Sequence, residues 1–162
     1  ATMELARAEL GLAPGDYALD ARLREIGYGT WEGSTLAQAQ AADPVVYARR
    51  LAEKWQVAPE GGESYVDVQA RMTEWYGSVT SDTVAVAHGG TIKAALGLAL
   101  NGQPERGLAF DIDNCSVTRI DHFAAADRNV WRLPAVNLQP WIADDAHAAM
   151  HQMAGPEVKK LA

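Results

Sequence analysis

The feature that most constrains the fold is an apolar segment that leads directly into two glycines and a helical pattern. Residues 83–87 alternate valine and alanine after a threonine, and His88, Gly89 and Gly90 follow at once. Such a run is typical of a strand that is buried on both faces, as in a parallel sheet. The segment after the glycines has helical composition. We therefore predict a strand, a glycine turn and a helix over residues 83–100.

The rest of the chain predicts further helices and strands in alternation. Ser34 or Thr35 and then Ser64 are expected to cap helices, because each hydroxyl can accept a free N–H group of the first turn. Helices are predicted over residues 2–10, 35–42, 44–55, 64–77 and 141–154, and strands over residues 115–120 and 130–136. A further strand is possible in the segment that leads into residues 23–25. This alternation favours the α/β class, with residues 1–162 forming one domain.

Composition excludes several classes of protein. Hydrophobic residues make up 48% and charged residues 22% of the chain, which favours a packed core over disorder. The net charge of −7 argues against a nucleic-acid partner, since that needs concentrated lysine and arginine. No apolar run approaches the roughly 20 residues that cross a bilayer, so no membrane partner is expected. The single cysteine, Cys115, is interpreted as a small core residue and fits a reducing cytoplasm.

His88 is the strongest single candidate for chemistry. In open α/β sheets, ligands collect beyond the carboxyl ends of the strands. A helix that starts there directs free N–H groups and its positive end at the ligand, which suits a phosphate. The two glycines allow an oxyanion to approach the backbone without meeting a Cβ atom. The alternative is a histidine that merely caps a turn.

Glu25 is the second candidate, within the glycine-rich residues 23–33. The negative charge of a bound phosphate favours the protonated form of a neighbouring carboxyl group. Such an acid is suited to protonating a leaving oxygen. The alternative is a surface glutamate that pairs with Arg22 or Arg24.

Other polar residues have simpler interpretations. Glu63 is assigned mainly to the start of a helix, with bracing of an active-site wall as the alternative. Asn114 is interpreted as a turn residue. His147 and His151 have a spacing that can chelate a metal, but the segment lacks the glutamate of a zincin motif. A solvated helix face is therefore favoured over a metal site.

Taken together, these segments resemble the histidine phosphatase superfamily, which is phosphoglycerate mutase-like. Residues 23–33, LREIGYGTWEG, are similar to the family signature Leu-x-Glu-x-x-x-Gly-x-x-Glu-Gly. Gly-Glu-Ser at residues 62–64 with Arg71, His-Gly-Gly at residues 88–90 and the strand at residues 114–120 follow in the family's order. The resemblance covers nearly the whole chain. It implies a three-layer α/β/α fold with a mostly parallel mixed sheet.

The resemblance also implies a mechanism. In the family, a histidine in an N-terminal Arg-His-Gly motif attacks phosphorus and becomes a phosphohistidine, which water then hydrolyses. His88 would donate hydrogen bonds to the phosphoryl oxygens, and Glu25 would be the general acid and then the general base. Gly89 would offer its N–H group to the phosphate, and Tyr28 would contact the substrate. The expected partner is a small phosphorylated metabolite, with no metal or other cofactor.

The sequence also departs from the family pattern, because the Arg-His-Gly motif and the first strand are absent. Trp31, Glu32 and the short stretch between Gly33 and Gly62 favour the phosphatase branch over the mutases. The chain is then either part of an active phosphatase or a degenerate member that acts as a phosphate-binding or regulatory domain. Retention of the two candidate catalytic residues favours the former. This chain alone is expected to be inactive, and its oligomeric state, including a homodimer, stays open.

Overall fold

A computed structural model describes residues 1–125 and 128–139. Helices and one strand pair make up the regular structure of this part of the chain. The α-helices are α1 (Thr2–Glu9), α2 (Leu36–Ala42), α3 (Pro44–Ala52), α4 (Tyr65–Ser78), α5 (Gly89–Ala99) and α6 (Pro104–Gly107). The 3-10 helices are Ala21–Leu23 and Gly29–Trp31, and the strands are β1 (Val117–Ala125) and β2 (Arg128–Leu138). Within these ranges, no helix is both long and apolar enough to span a membrane.

The capping signals in the sequence mark where the helices begin. The Thr35 hydroxyl accepts the Gln38 N–H group, and the Gln38 side chain accepts the Thr35 N–H group, which starts α2. Ser64 and Asp67 form the same reciprocal capping box at the start of α4. Asp43 caps α3, whose first residue is a proline. These helix starts confirm the predictions, although α3 ends at Ala52, before the predicted limit.

The core lies between α4 and α5. Small alanines on α5 allow the two helices to approach closely, and larger side chains from α4 fill the space between them. Its buried residues are Ile26, Tyr65, Val68, Met72, Ala94 and Ala95. Ile26 is 2% exposed, so the residue that follows Glu25 is anchored in the core.

The strands β1 and β2 form an antiparallel pair, with Val117 opposite Leu138 and Phe123 opposite Val130. The predicted strands near residues 115–120 and 130–136 are confirmed. The predicted mostly parallel sheet is not seen in residues 1–125 and 128–139, where the only ladder is antiparallel. The register shifts on either side of Arg119, which indicates a β-bulge or a similar irregularity.

Two predicted strands are wrong for the described part of the chain. Residues 83–87 have no ladder partner there, and the Val84 side chain is 84% exposed. A strand needs a neighbour to satisfy its N–H and C=O groups, so the apolar pattern alone does not make one. The segment that leads into residues 23–25 contains the 3-10 helix Ala21–Leu23 instead of a strand, because the Asp20 carboxylate caps that helix by accepting the Arg22 N–H group.

The remaining predictions concern residues 114–115 and the helix predicted over residues 141–154. Cys115 is exposed and has a φ of 61°, so its interpretation as a core residue is wrong. It lies with Asn114 in a turn in which the Ser116 N–H group bonds to the Asp113 carbonyl, which confirms Asn114 as a turn residue. The helix predicted over residues 141–154 lies outside the described residues.

Candidate active site

The Glu25 carboxyl group lies at the first turn of α5. Its Oε2 accepts the Gly90 N–H group at 3.3 Å, and its Oε1 accepts the Ile26 N–H group at 2.8 Å. The positive end of a helix stabilises a carboxylate in this place. Gly90 is required there, because a Cβ atom would lie 2.6 Å from Glu25 Oε1. The structure thus brings the candidate acid to the predicted glycine turn.

His88 and Gly89 lie directly beside this contact. His88 is the N-cap residue of α5, and its carbonyl accepts the Ile92 N–H group at 2.9 Å. Its imidazole is exposed and makes no hydrogen bond with the described residues. The Gly89 N–H group likewise has no partner among them, and a Cβ atom on Gly89 would meet only the Ile112 carbonyl, at 3.8 Å. Donors for an oxyanion are therefore available next to a carboxylate.

Tyr28 lies at a cleft next to the loop that carries Glu25. The cleft has a volume of about 390 Å³ and is bounded by Gly29–Trp31, α2 and α3. Trp31 and Tyr47 line it as a tilted aromatic pair whose centroids are 5.9 Å apart. The Arg50 guanidinium lies 5.5 Å from the centroid of the Tyr28 ring. The cleft therefore combines aromatic surface with positive charge.

The positive charge of the cleft comes from Arg50 and Lys54. Arg50 is 5% exposed and donates to the carbonyls of Val57 and Glu63. Burial lowers the pKa of Lys54, and the charges of Lys93 and Arg50 lower it further. Among the residues that the structure describes, neither cleft cation forms an ion pair. Glu32 also lines the cleft, where its Oε1 accepts the Tyr28 N–H group, so two cations and one carboxylate surround a space suited to a polar or anionic group.

Tyr65 is a buried phenol whose pKa is affected both by Glu25 and by the cleft residues Tyr28 and Arg50. Burial raises the pKa of Tyr65 to about 12, and the nearby Tyr28 and Glu25 add to the rise. The charge of Arg50 opposes it. The candidate acid and the cleft arginine therefore lie within electrostatic reach of one phenol.

Glu63 and Arg71 form a largely buried ion pair beside the Glu25 loop. Arg71 Nε donates to Glu63 Oε1 at 3.0 Å, and Arg71 Nη2 donates to Oε2 at 3.2 Å. Burial acts to raise the pKa of Glu63, but the bonds from Arg71 and the Gly27 N–H group, with the charges of Arg71 and Arg24, hold that pKa below its usual value. The carboxylate is therefore stabilised in its charged form.

Two glycines let the loops around this pair touch backbone to backbone. Gly29 has a φ of 51°, and a Cβ atom there would lie 2.1 Å from the Glu60 carbonyl. A Cβ atom on Gly62 would lie 2.8 Å from the Gly27 carbonyl. Only glycine fits either place, which explains the glycine-rich composition of both loops.

The sequence did not identify several residues that build the site. The bracing role of Glu63 was only its second interpretation, and Arg71 appeared only through the family resemblance. Arg50 and Thr91 were not singled out, because an arginine and a threonine on helices have no local signal. In residues 1–125 and 128–139, no cluster of three or more metal-ligating side chains occurs. His147 and His151 lie outside the described residues.

Comparisons with known proteins agree with the resemblance. The sequence model of the Histidine phosphatase superfamily (branch 1) matches residues 1–137. The chain is 37% identical over 151 residues to a glucosyl-3-phosphoglycerate phosphatase of Mycolicibacterium vanbaalenii, covering 79% of this chain and 65% of that protein. It is 37% identical over 147 residues to the protein of that name from Mycobacterium tuberculosis, covering 78% of this chain and 65% of the relative. The chain thus spans less than two thirds of these relatives.

A solved structure shares the fold. A mycobacterial glucosyl-3-phosphoglycerate phosphatase in complex with VO3 matches with a TM-score of 0.64 and 34% identity, over 82% of this chain and 68% of that one. The phosphoglycerate mutase-like fold predicted from the sequence is therefore confirmed, although its parallel sheet is not seen in the described residues. The family match, the identity to these relatives and the shared fold agree, and the chain belongs to the histidine phosphatase superfamily, branch 1.

Proposed function

We propose that the protein is a metal-independent phosphomonoester hydrolase that works through a phosphohistidine. The observation that carries the proposal is the contact between the Glu25 carboxyl group and the Gly90 N–H group, two residues from His88. An acid and oxyanion donors at one helix start are what phosphoryl transfer to and from a histidine requires. The nucleophilic histidine is proposed to lie in an Arg-His-Gly segment that the 162 residues do not contain.

The proposed reaction has two steps. The histidine nitrogen attacks phosphorus, the ester P–O bond breaks, and Glu25 gives its proton to the leaving oxygen. The Glu25 carboxylate then takes a proton from water, whose oxygen attacks phosphorus and breaks the P–N bond. His88 and the Gly89 N–H group donate hydrogen bonds to the phosphoryl oxygens while negative charge builds on them.

The proposed substrate is a small phosphorylated metabolite whose alcohol part enters the cleft beside Tyr28. Aromatic surface from Trp31 and positive charge from Arg50 and Lys54 suit a polar or carboxylated alcohol. The names of the matching relatives make glucosyl-3-phosphoglycerate the first compound to assay. We place the protein in the cytoplasm and treat residues 1–162 as one domain.

A non-catalytic phosphate-binding or regulatory domain is the second candidate. The Gly89 N–H group, which has no partner among the described residues, and the exposed His88 imidazole suit phosphate binding without any chemistry. A phosphoglycerate-type mutase is a weaker alternative, because the stretch between Gly33 and Gly62 is short. The two leading candidates differ in whether phosphate is released.

Phosphate release by the native protein from p-nitrophenyl phosphate and glucosyl-3-phosphoglycerate tests the proposal. Glu25→Gln and His88→Gln should each lower kcat/KM by about 10²-fold or more, since each removes a group that acts in the transition state. Glu60→Gln and His122→Gln are matched controls, because both residues are exposed and neither side chain forms an ion pair with the described residues. Absence of phosphate release would support the binding domain instead, whereas equal losses in the controls would show that Glu25 and His88 have no special part in hydrolysis.

A further inference from the structure

We propose that Glu63 and Arg71 are positioning residues that hold the Glu25 carboxyl group against the start of α5. The inference rests on the proposed function only where it assigns proton transfer to Glu25. The contacts of Glu63 and Arg71 are made with backbone groups before and after Glu25, whatever the reaction is. Neither Glu63 nor Arg71 is placed against the substrate, so both act through another residue.

The backbone that carries Glu25 has no regular structure of its own. Residues 24–28 lie between the 3-10 helices Ala21–Leu23 and Gly29–Trp31, and they belong to no helix or strand. Hydrogen bonds within a helix or a ladder therefore do not fix the direction of this carboxyl group. Its position must come from groups on other elements.

Arg71 supplies the first of these groups from α4. Its side chain is 9% exposed, and its Nη1 donates to the Arg22 carbonyl. Its Nη2 donates to the Glu25 carbonyl at 3.3 Å. One planar guanidinium therefore binds two carbonyls of the loop while it also binds both oxygens of Glu63.

Glu63 holds the other side of Glu25. Its Oε2 accepts the Gly27 N–H group at 2.9 Å, and its own N–H group donates to the Gly27 carbonyl at 2.8 Å. Its Oε1 also accepts Arg24 Nη2 at 2.7 Å. The residues before and after Glu25 are thus bound to one carboxylate.

A third contact ties the same segment to the helix that the carboxyl group must reach. The Thr91 hydroxyl, on a residue with no exposed surface, donates to the Arg24 carbonyl at 2.5 Å. Loss of the Glu63–Arg71 pair would leave this contact, the burial of Ile26 and the weak Gly90 bond to hold the segment against α5. A displacement of about 1 Å is enough to cost about 10²-fold in a proton-transfer step.

The test compares two aryl phosphates with different needs for a proton donor. Phenyl phosphate needs its leaving oxygen protonated, whereas 2,4-dinitrophenyl phosphate releases a stable anion. In the native protein, Glu63→Gln and Arg71→Lys should lower kcat/KM for phenyl phosphate by about 30-fold or more, and kcat/KM for the dinitrophenyl ester by less than about threefold, because kcat/KM reports the first step, in which the leaving group departs. A merely structural role would lower both rates alike. Glu60→Gln, which removes an exposed carboxylate from the same loop, is the matched control.

A double-mutant cycle separates the inference from the proposed function. When Glu25 is already Gln, adding Glu63→Gln should cost less than about threefold more, because Glu63 acts through Glu25. Equal costs in both backgrounds would overturn the positioning role. If the Glu25→Gln change itself has no effect on the hydrolysis of phenyl phosphate, the role assigned to Glu25 in the proposed function is wrong.

A measurement without turnover decides the inference if no hydrolysis occurs. The Gly90 amide proton reports its bond to Glu25 in NMR spectra of the folded protein. Glu63→Gln and Arg71→Lys should shift that resonance in the same direction as Glu25→Gln does. An unchanged Gly90 resonance in the Glu63 and Arg71 variants, with a shifted one in Glu25→Gln, would overturn the proposal.

Discussion

The two proposed catalytic residues, Glu25 and His88, are supported in opposite ways. Glu25 lies on an irregular loop, yet the backbone around it is bound by Glu63, Arg71 and Thr91. His88 follows residues 83–87, whose N–H groups donate no hydrogen bond to any part of the chain that is described. The irregular segment is thus held in place, while the segment with the clearest strand pattern is exposed.

This difference shows where the precision of such a site comes from. Side chains that reach from neighbouring helices can fix a loop as well as a ladder does, provided that they are buried and paired. A strand pattern gives no comparable support without a partner strand. The groups that hold the segment around Glu25 therefore all lie within the described residues. In that part of the chain, His88 is positioned by α5, at whose start it lies.

Amide hydrogen exchange in the 162-residue chain gives the largest expected contrast. The amides of Gly27 and Glu63 are both bonded within the pair of loops, whereas those of Val84 and Val86 have no partner among the described residues. The first two should exchange about 10³-fold more slowly than the valines, because exchange there requires local unfolding. The measurement is exchange followed by NMR or by mass spectrometry of short peptides.

Equal protection of the valine amides would break the comparison. It would mean that another strand or a second copy of the chain covers residues 83–87 in solution. Fast exchange at Gly27 would also contradict the comparison, because it would show that the hydrogen bonds of Glu63 open readily. Either result would remove the contrast between the two halves of the site.

The sequence predicts what depends on local chemistry. Thr35, Ser64 and their partners cap helices through bonds that span only three residues, so the pattern determines the structure. The glycine turn after His88 was predicted for the same local reason. His88 was therefore placed at a helix start, whereas a site shared with Glu25 was implied only by the family resemblance.

The sequence does not predict what depends on distant partners. The valine pattern of residues 83–87 indicates a strand only if a neighbour pairs with it, and the pattern carries no information about that neighbour. The bond from Arg71 to the Glu25 carbonyl joins residues 46 positions apart. Cys115 was misplaced because its turn conformation, with φ at 61°, outweighed its apolar character.

Gly90→Ala should produce the next largest effect, a loss of about 10²-fold in kcat for an aryl phosphate. Its Cβ atom would lie 2.6 Å from Glu25 Oε1 and 2.8 Å from a methyl carbon of Ile26, which is anchored in the core. The carboxyl group must then leave the start of α5, which removes the proton donor from its place. Steady-state kinetics on the native protein measure the loss.

Gly77→Ala is the matched control for this change. Gly77 lies in α4, and a Cβ atom there would meet no other atom within 4 Å. Its loss of activity should be much smaller. Comparable losses in the two variants would show that the closeness of Glu25 to Gly90 is unimportant for the rate.

A comparison of Gly29→Ala with Gly33→Ala tests the backbone contact between Gly29 and Glu60, which joins the Glu25 loop to the Glu63 loop. Both residues have positive φ angles, 51° and 72°, so both changes cost about 1 kcal/mol of strain. Only at Gly29 would the new Cβ atom also meet a backbone atom, at 2.1 Å from the Glu60 carbonyl. Because that carbonyl is held by the Thr30 N–H group, it cannot move without breaking the bond between the loops. Gly29→Ala should therefore lower the free energy of unfolding by about 2 kcal/mol more than Gly33→Ala, measured by chemical denaturation. Equal values would mean that the two loops separate at little cost, and the rigidity assigned to the Glu25 segment would then be wrong.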